Sequence, residues 1–261
     1  MYIFLLFLFL GSTFLFISSY SRGSEVLSVN PNLFIGDYIF CVEEAIGDRY
    51  NVRIRYSLKR QDGGLIEPTV RFESLHSNDY LFRTYGGSSQ YDLSEDGKTI
   101  WIVEDQSSSQ TYDSKSLHTV VLENLTFGEN SNLKPLKGTW SATFRIQIDE
   151  SYRELLQHDL EVPISDSKNI YAQISTVQLS TMGIHMEMRL PSNDISNLAN
   201  DFTVFLLLKN GSVIELELNH SIHGQRSPFS ASSTGIFKES LVLDEIKSVI
   251  VCGLEIPLSS Q

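Results

Sequence analysis

From residue 33 onward, apolar and polar positions alternate with a period of two, the pattern of strands buried on one face only. In 50–59, Tyr50, Val52, Ile54, Tyr56 and Leu58 share one face, and Asn51, Arg53, Arg55, Ser57 and Lys59 share the other. The preceding run 35–46 and the turn Gly47-Asp48-Arg49 make this segment half of a hairpin, and Gln61-Asp62-Gly63-Gly64 is the next turn. Segments 69–75, 98–103 and 117–125 continue the strand pattern. In 139–148 it returns clearly, with Trp140, Ala142, Phe144, Ile146 and Ile148 on one face. The polar stretch 106–116 reads as a loop, and 150–158 as a short helix.

A second series begins at Asn169. Ile184, Met186, Met188 and Leu190 alternate with His185, Glu187 and Arg189, which places His185 on the solvated side. The apolar run 202–208, the Asn210-Gly211 turn and the alternating 213–219 predict a hairpin. The Gly/Ser/Pro-containing stretch 220–233 reads as a loop, and two short strands, 248–252 and 254–258, close the chain across Gly253. Short strands at this spacing, with little helical periodicity, predict an all-β protein of two consecutive antiparallel, immunoglobulin-like β-sandwiches. Pro163 and the polar Ser165-Asp166-Ser167-Lys168 set the expected boundary, giving domains 33–165 and 166–261.

Ahead of the strands, 2–20 is an uncharged, apolar segment. As a helix its nineteen residues reach about 28 Å, close to the thickness of the hydrocarbon layer. Tyr2 and Tyr20 stand at its interfacial ends. It reads as a transmembrane anchor, with a cleaved signal peptide as the alternative. No charged region precedes it, and Ser19-Tyr20-Ser21 is a weak cleavage site. Phenylalanines on all its faces argue against a buried core helix. Only Met1 lies ahead of the span, a start from which a cytoplasmic piece is expected to be missing. Residues 21–32 form a polar stalk.

Composition narrows the function classes. The chain has 261 residues, 41% of them hydrophobic, enough for a packed core. Its formal charge of −12, from 32 acidic and 20 basic residues, repels phosphate backbones and anionic head groups, so nucleic acid is excluded as an expected partner. Cys41 and Cys252, both in apolar strand-like surroundings, read as two free thiols, with a single disulfide as the alternative.

Candidate chemistry is sparse. Asp92-Leu93-Ser94-Glu95-Asp96-Gly97 begins like a calcium loop but lacks the carboxylate six residues after the glycine, where Val103 stands, so it reads as a β-turn. His220 and His223, near Glu215 and Glu217, are of metal-ligating type, but they lie in an expected loop and not on a helix face. Glu43, Glu44, Asp48, Glu104 and Asp105 are carboxylates that a glycosidase would pair, without a pattern that fixes their separation. Neither a Gly-x-Ser-x-Gly elbow nor a Cys beside a plausible base is present. Tyr80, Phe82, Tyr85 and Tyr91, around Gly86-Gly87, offer an aromatic loop for glycan or peptide, against which stands ordinary core packing.

Several motifs occur in a fixed order: Gly36-Asp37-Tyr38 and Glu43-Glu44-Ala45-Ile46-Gly47-Asp48, then Leu122-Glu123-Asn124-Leu125 ahead of Leu136-Lys137-Gly138-Thr139-Trp140. Val177-Gln178-Leu179-Ser180 ahead of Met182-Gly183-Ile184 follows, and Glu245-Ile246-Lys247-Ser248 ahead of Gly253 completes the series. Together they resemble an uncharacterised Gram-positive ectodomain family, the domain of unknown function 4179 group, over most of residues 33–258. The resemblance implies a single-span membrane protein, of a group often carrying an anti-sigma-like cytoplasmic piece that this chain lacks, and it supplies no catalytic residue. The expected function is therefore that of a membrane-anchored, extracellular sensor or regulatory ectodomain without an enzymatic activity. An adhesive or structural surface module is the first alternative, and an exported hydrolase the second. The expected partners are the membrane, through residues 2–20, and a protein or glycan ligand outside; no cofactor or metal is expected.

Overall fold

The computed structural model describes residues 32–77, 84–108, 111–112, 117–128, 132–155, 160–165, 170–191, 202–223 and 228–257. The expected anchor 2–20 and all of the expected stalk 21–32 but Asn32, which begins the first strand, lie outside them. Among the described residues no helix is long and apolar enough to cross a membrane. The protein is all-β, and among the described residues one 3-10 turn occurs, at Leu243–Glu245.

Among the described residues nine strands build the first sandwich: β1 (Asn32–Ile35), β2 (Tyr38–Gly47), β3 (Asn51–Arg60), β4 (Arg71–Ser77), β5 (Thr84–Leu93), β6 (Thr99–Ser108), β7 (Leu117–Thr126), β8 (Leu136–Arg145) and β9 (Gln147–Ile148). One sheet has the order β1-β2-β3-β6-β5, with β9 added parallel to β2, and the facing sheet has the order β4-β7-β8. The alternation read from the sequence decides which side chains meet between the layers. Val52, Ile54, Tyr56 and Leu58 of β3 and Ala142 and Phe144 of β8 are all buried. Phe40 meets Phe72 edge-on across the gap, with ring centroids 5.6 Å apart, and packs on Tyr56 at 5.1 Å, spacings typical of favourable aromatic pairs.

Ten strands among the described residues build the second: β10 (Tyr152–Leu155), β11 (Leu160–Ser165), β12 (Ile170–Ser180), β13 (Gly183–Leu190), β14 (Val204–Leu208), β15 (Val213–Glu215), β16 (Asn219–His223), β17 (Phe229–Ile236), β18 (Ile246–Val251) and β19 (Leu254–Pro257). Its sheets run β10-β12-β13-β17-β16, with β11 also on β12, and β15-β14-β18-β19. Its core is separate from the first, built around Ile174, Leu179, Ile184 and Met186 on one side and Val204, Leu206, Val249 and Val251 on the other.

Five readings of the sequence pattern differ from the structure. Residues 152–165, which Pro163 and the polar run after it assign to the first domain, pair with β12 and bring Val162 and Ile164 into the second core. Pro163 sits beside a register shift, where a missing N–H is tolerated. The expected helix at 150–158 is strand β10 over Tyr152–Leu155, because an open edge of β12 recruits it. Segment 106–108 is strand and not loop: β6 runs to Ser108, paired with β3 and β5. Most of 220–233 is the β16–β17 hairpin. After β15 the chain leaves β14 and crosses to the other sheet at β16, so 213–219 is not one strand. Cys41 and Cys252 are not joined in a disulfide, and both are half-buried.

Candidate functional site

Where the two sandwiches meet, the loop end of the first stands on the outer face of the β10-β12-β13-β17-β16 sheet. The β2–β3 turn supplies the centre of this seam. Asp48, buried at 5% exposure, accepts the Tyr50 and Asn51 backbone N–H groups on Oδ1, both at 2.7 Å, and Asn51 Nδ2 on Oδ2 at 3.1 Å. That is the capping chemistry of an Asx turn. From the second sandwich, Ser180 Oγ donates to the same Oδ2. Ser180 Oγ also accepts the Met182 and Gly183 N–H groups, at 3.0 and 2.9 Å. One carboxylate thus organises turns in both sandwiches.

Three further contacts surround it. Tyr50 lies flat on His185, with ring centroids 3.5 Å apart and planes 6° from parallel. Arg53 holds Asp105 in a two-pronged pair at 2.7 and 2.9 Å and donates across the seam to the carbonyls of Phe237 and Lys238, at 3.0 and 3.2 Å. Where the chain crosses between the sandwiches, Asp149 Oδ2 accepts Thr181 Oγ1 at 3.0 Å. Gly183 lets the surfaces close: a Cβ there would lie 2.6 Å from Asn51 Nδ2 and run into the carbonyl of Gly235. The cleft that remains, about 10 Å³, is lined by Asp48, Arg49, Tyr50, Asp149, Gln178 and His185 among others, room for about one water. Arg49 closes its mouth, with its guanidinium 4.2 Å from the centre of the Tyr152 ring.

His185 corrects the sequence pattern. Alternation puts it on the polar side of β13, and it is there, but the first sandwich covers that side and leaves it 2% exposed. Neither ring nitrogen has a hydrogen-bond partner among the described residues; Nε2 lies 3.7 Å from Glu187 Oε1. Burial also pushes the Tyr50 hydroxyl above its ordinary pKa, with Glu187 adding to the effect.

The five acidic residues are not gathered in one cleft; each has a partner of its own. Glu43 accepts Ser57 Oγ at 2.5 Å and pairs with Lys59 at 3.3 Å, and Glu44 faces Arg55 at 3.8 Å. Asp48 and Asp105 belong to the seam. Glu104 points into the first core, 6% exposed, and accepts Tyr56 Oη at 2.8 Å and Gln106 Nε2 at 2.7 Å. Desolvation by burial raises its pKa, opposed in part by those two bonds. A raised acid in the folded state favours folding while protonated. That contribution is complete below the unfolded value of 4.5 and is lost as pH climbs through the folded value. Glu104→Gln, which keeps an acceptor for Gln106 Nε2 and turns its NH2 toward the Tyr56 hydroxyl oxygen, is expected to raise Tm at pH 7 by about 2–4 °C, the shift that about 1 kcal/mol gives a chain of this size, and to leave Tm unchanged near pH 4. Calorimetry at both pH values checks this; a lower Tm at pH 7 would contradict it.

The other motifs resolve into local structure. Asp92–Gly97 is the β5–β6 turn, where Asp96 Oδ1 accepts Ser94 Oγ at 2.7 Å and the Lys98 N–H at 3.1 Å, and Gly97 takes φ +68°. His220 is on β16, hydrogen-bonded to Ser233 Oγ at 2.6 Å, with burial holding its pKa down. Glu215 lies on β15 in the other sheet. Among the described residues no three potential metal ligands come together. Tyr91 packs against the first core under the Arg71 guanidinium, 4.6 Å from its ring centre; Tyr80 and Phe82 lie outside the described residues.

No family model matches the chain, and no curated protein matches it. The crystal structure of a conserved domain protein from Bacillus anthracis is similar, with a TM-score of 0.55 and 15% sequence identity, over 88% of this chain and 81% of that one. At that identity the likeness concerns the fold, and its span takes in both sandwiches.

Proposed function

We propose that this chain is the outward-facing part of a membrane-anchored envelope protein, a sensor or regulatory ectodomain that acts by recognition. The observation that carries the reading is the seam. Two modules with separate cores are joined by the Asp48–Ser180 hydrogen bond, by Arg53 on the carbonyls of Phe237 and Lys238, and by the Tyr50–His185 stack. Such a junction holds one arrangement and converts a load or ligand on one module into a change at the other. The net charge of −12 and the apolar segment 2–20 add support for a module tethered to a membrane and facing water. The ordered motifs of the 4179 group point the same way, toward a single-span protein of Gram-positive type.

The test is topological. The full chain with a C-terminal tag, produced in a Gram-positive host, is expected in the membrane fraction with the tag removed by protease added to intact cells. A protected tag in the soluble fraction would overturn the proposal. An in-phase upstream reading frame encoding an anti-sigma-like helix would favour the regulatory branch. Retention of the ectodomain on cell wall, glycan arrays or host matrix would favour the adhesive alternative.

A further inference from the structure

Buried side-chain nitrogens in native proteins almost always have a hydrogen-bond partner, and among the described residues those of His185 do not. A neutral imidazole carries one N–H donor and one lone pair, both in the plane of the ring. The Tyr50 ring lies on the face of His185 and so serves neither. Nε2 is 3.7 Å from Glu187 Oε1, beyond hydrogen-bond length but matched in sign to an N–H. That contact favours the tautomer with its proton on Nε2, because the partner of one nitrogen selects the role of the other. Nδ1 is then a buried acceptor.

His185 is one wall of the seam cleft, whose volume of about 10 Å³ suits one water. The other walls differ in spare hydrogen-bonding capacity. A carboxylate offers about four lone-pair sites. Those of Asp48 are taken by the Tyr50 and Asn51 N–H groups, Asn51 Nδ2 and Ser180 Oγ. Asp149 is less fully used: Oδ1 accepts the Ser151 N–H at 2.8 Å and Oδ2 accepts Thr181 Oγ1 at 3.0 Å, so each oxygen keeps a lone pair. Gln178, opposite His185 on β12, brings amide donors to the same cleft. The occupant these groups call for gives two hydrogens and accepts at least one. Asp48 and Asp149 repel an anion, and among the described residues no three metal ligands come together. Water has the required size and both capacities.

We propose that the cleft binds a single structural water, which donates one hydrogen to His185 Nδ1 and the other to Asp149 and accepts from the Gln178 amide. The water ties β13 of the second sandwich to the point where the chain crosses between the sandwiches, and completes through solvent a seam that Asp48 and Ser180 make directly. Immobilising one water generally costs less than leaving a buried acceptor unpaired. The site requires only the seam, and it stands or falls separately from membrane attachment.

The experiment is nuclear magnetic resonance on the full chain in detergent micelles, with isotope-labelled histidine, at about pH 8, above the ordinary imidazole range. The carbon-bound ring protons of His185 are expected to show a cross-peak to water with the sign of a long-lived contact. The ring nitrogen shifts are expected to show a proton on Nε2 and a hydrogen-bonded lone pair on Nδ1. Oxygen relaxation dispersion of the solvent then counts long-lived waters. Wild type is expected to hold about one more than His185→Phe, which keeps a ring on Tyr50 and has no nitrogen to pair. Ring protons without a water contact would overturn the proposal, as would a proton on Nδ1 or equal water counts in the two proteins. If His185→Phe fails to fold, the wild-type cross-peak and tautomer decide between them, and both must be as stated for the site to stand.

Discussion

Replacing Asp48 with alanine is expected to lower unfolding free energy by about 3–5 kcal/mol and Tm by about 10 °C. The estimate follows from what the carboxylate does. Its oxygens accept two backbone N–H groups of the β2–β3 turn, the Asn51 amide and the Ser180 hydroxyl. Alanine leaves those donors buried and unmatched at the one place where both sandwiches are organised. Asp48→Asn separates the contributions: an amide oxygen still serves the turn N–H groups, while its NH2 confronts Asn51 Nδ2. That variant is expected to fall between wild type and alanine. Ser180→Ala leaves the β2–β3 turn intact and removes the link across the seam, so its cost should be smaller and concentrated in the second sandwich. Chemical denaturation of the three variants checks the ranking; an Asp48→Ala loss below about 1 kcal/mol would show that the network adds little.

The second large effect is steric. Gly183→Ala places a methyl 2.6 Å from Asn51 Nδ2 and against the carbonyl of Gly235. The amide has some freedom to turn, but the carbonyl belongs to the β13–β17 ladder and yields only by moving a strand. The expected cost is about 3 kcal/mol, the upper part of the usual range for overpacking. Its form is more informative than its size. Because each sandwich has its own core, prising the seam open is expected to divide one calorimetric transition into two, the second sandwich melting first. A single unbroken transition with unchanged Tm would mean that the surfaces accommodate the methyl and that the seam is slack.

The strands of both sandwiches were readable wherever one face meets core and the other meets water. Residues 50–59 and 139–148 show it, as do Ile184, Met186, Met188 and Leu190, because alternation is the direct imprint of a one-sided environment. The pattern is lost where both faces are covered. β17 reads Phe-Ser-Ala-Ser-Ser-Thr-Gly-Ile. Its Ala231 packs in the second core, while Ser232 and Thr234 are buried on the side toward the first sandwich. Small polar residues suit a strand squeezed from both sides, yet in sequence they are the residues of a loop. Ser107 and Ser108, fully or nearly fully buried at the end of β6, mislead for the same reason. So does His185, whose polar-side position is read correctly but whose cover comes from a turn well over a hundred residues earlier in the chain.

What the residue order determined by itself is the class of fold and its local grammar. The β-period, the glycine turns at Gly97 and Gly211 with their positive φ, and the formal charge of −12 all follow from the residues themselves. Only the tertiary structure decided which strands share a sheet, that residues 152–165 pair with β12, and that Asp48, Tyr50, Ser180 and His185 meet. Local preference acts over a few residues and is written in them. A seam between two modules is set by surfaces whose parts lie far apart in the chain, and its polar residues look in sequence like any others facing water.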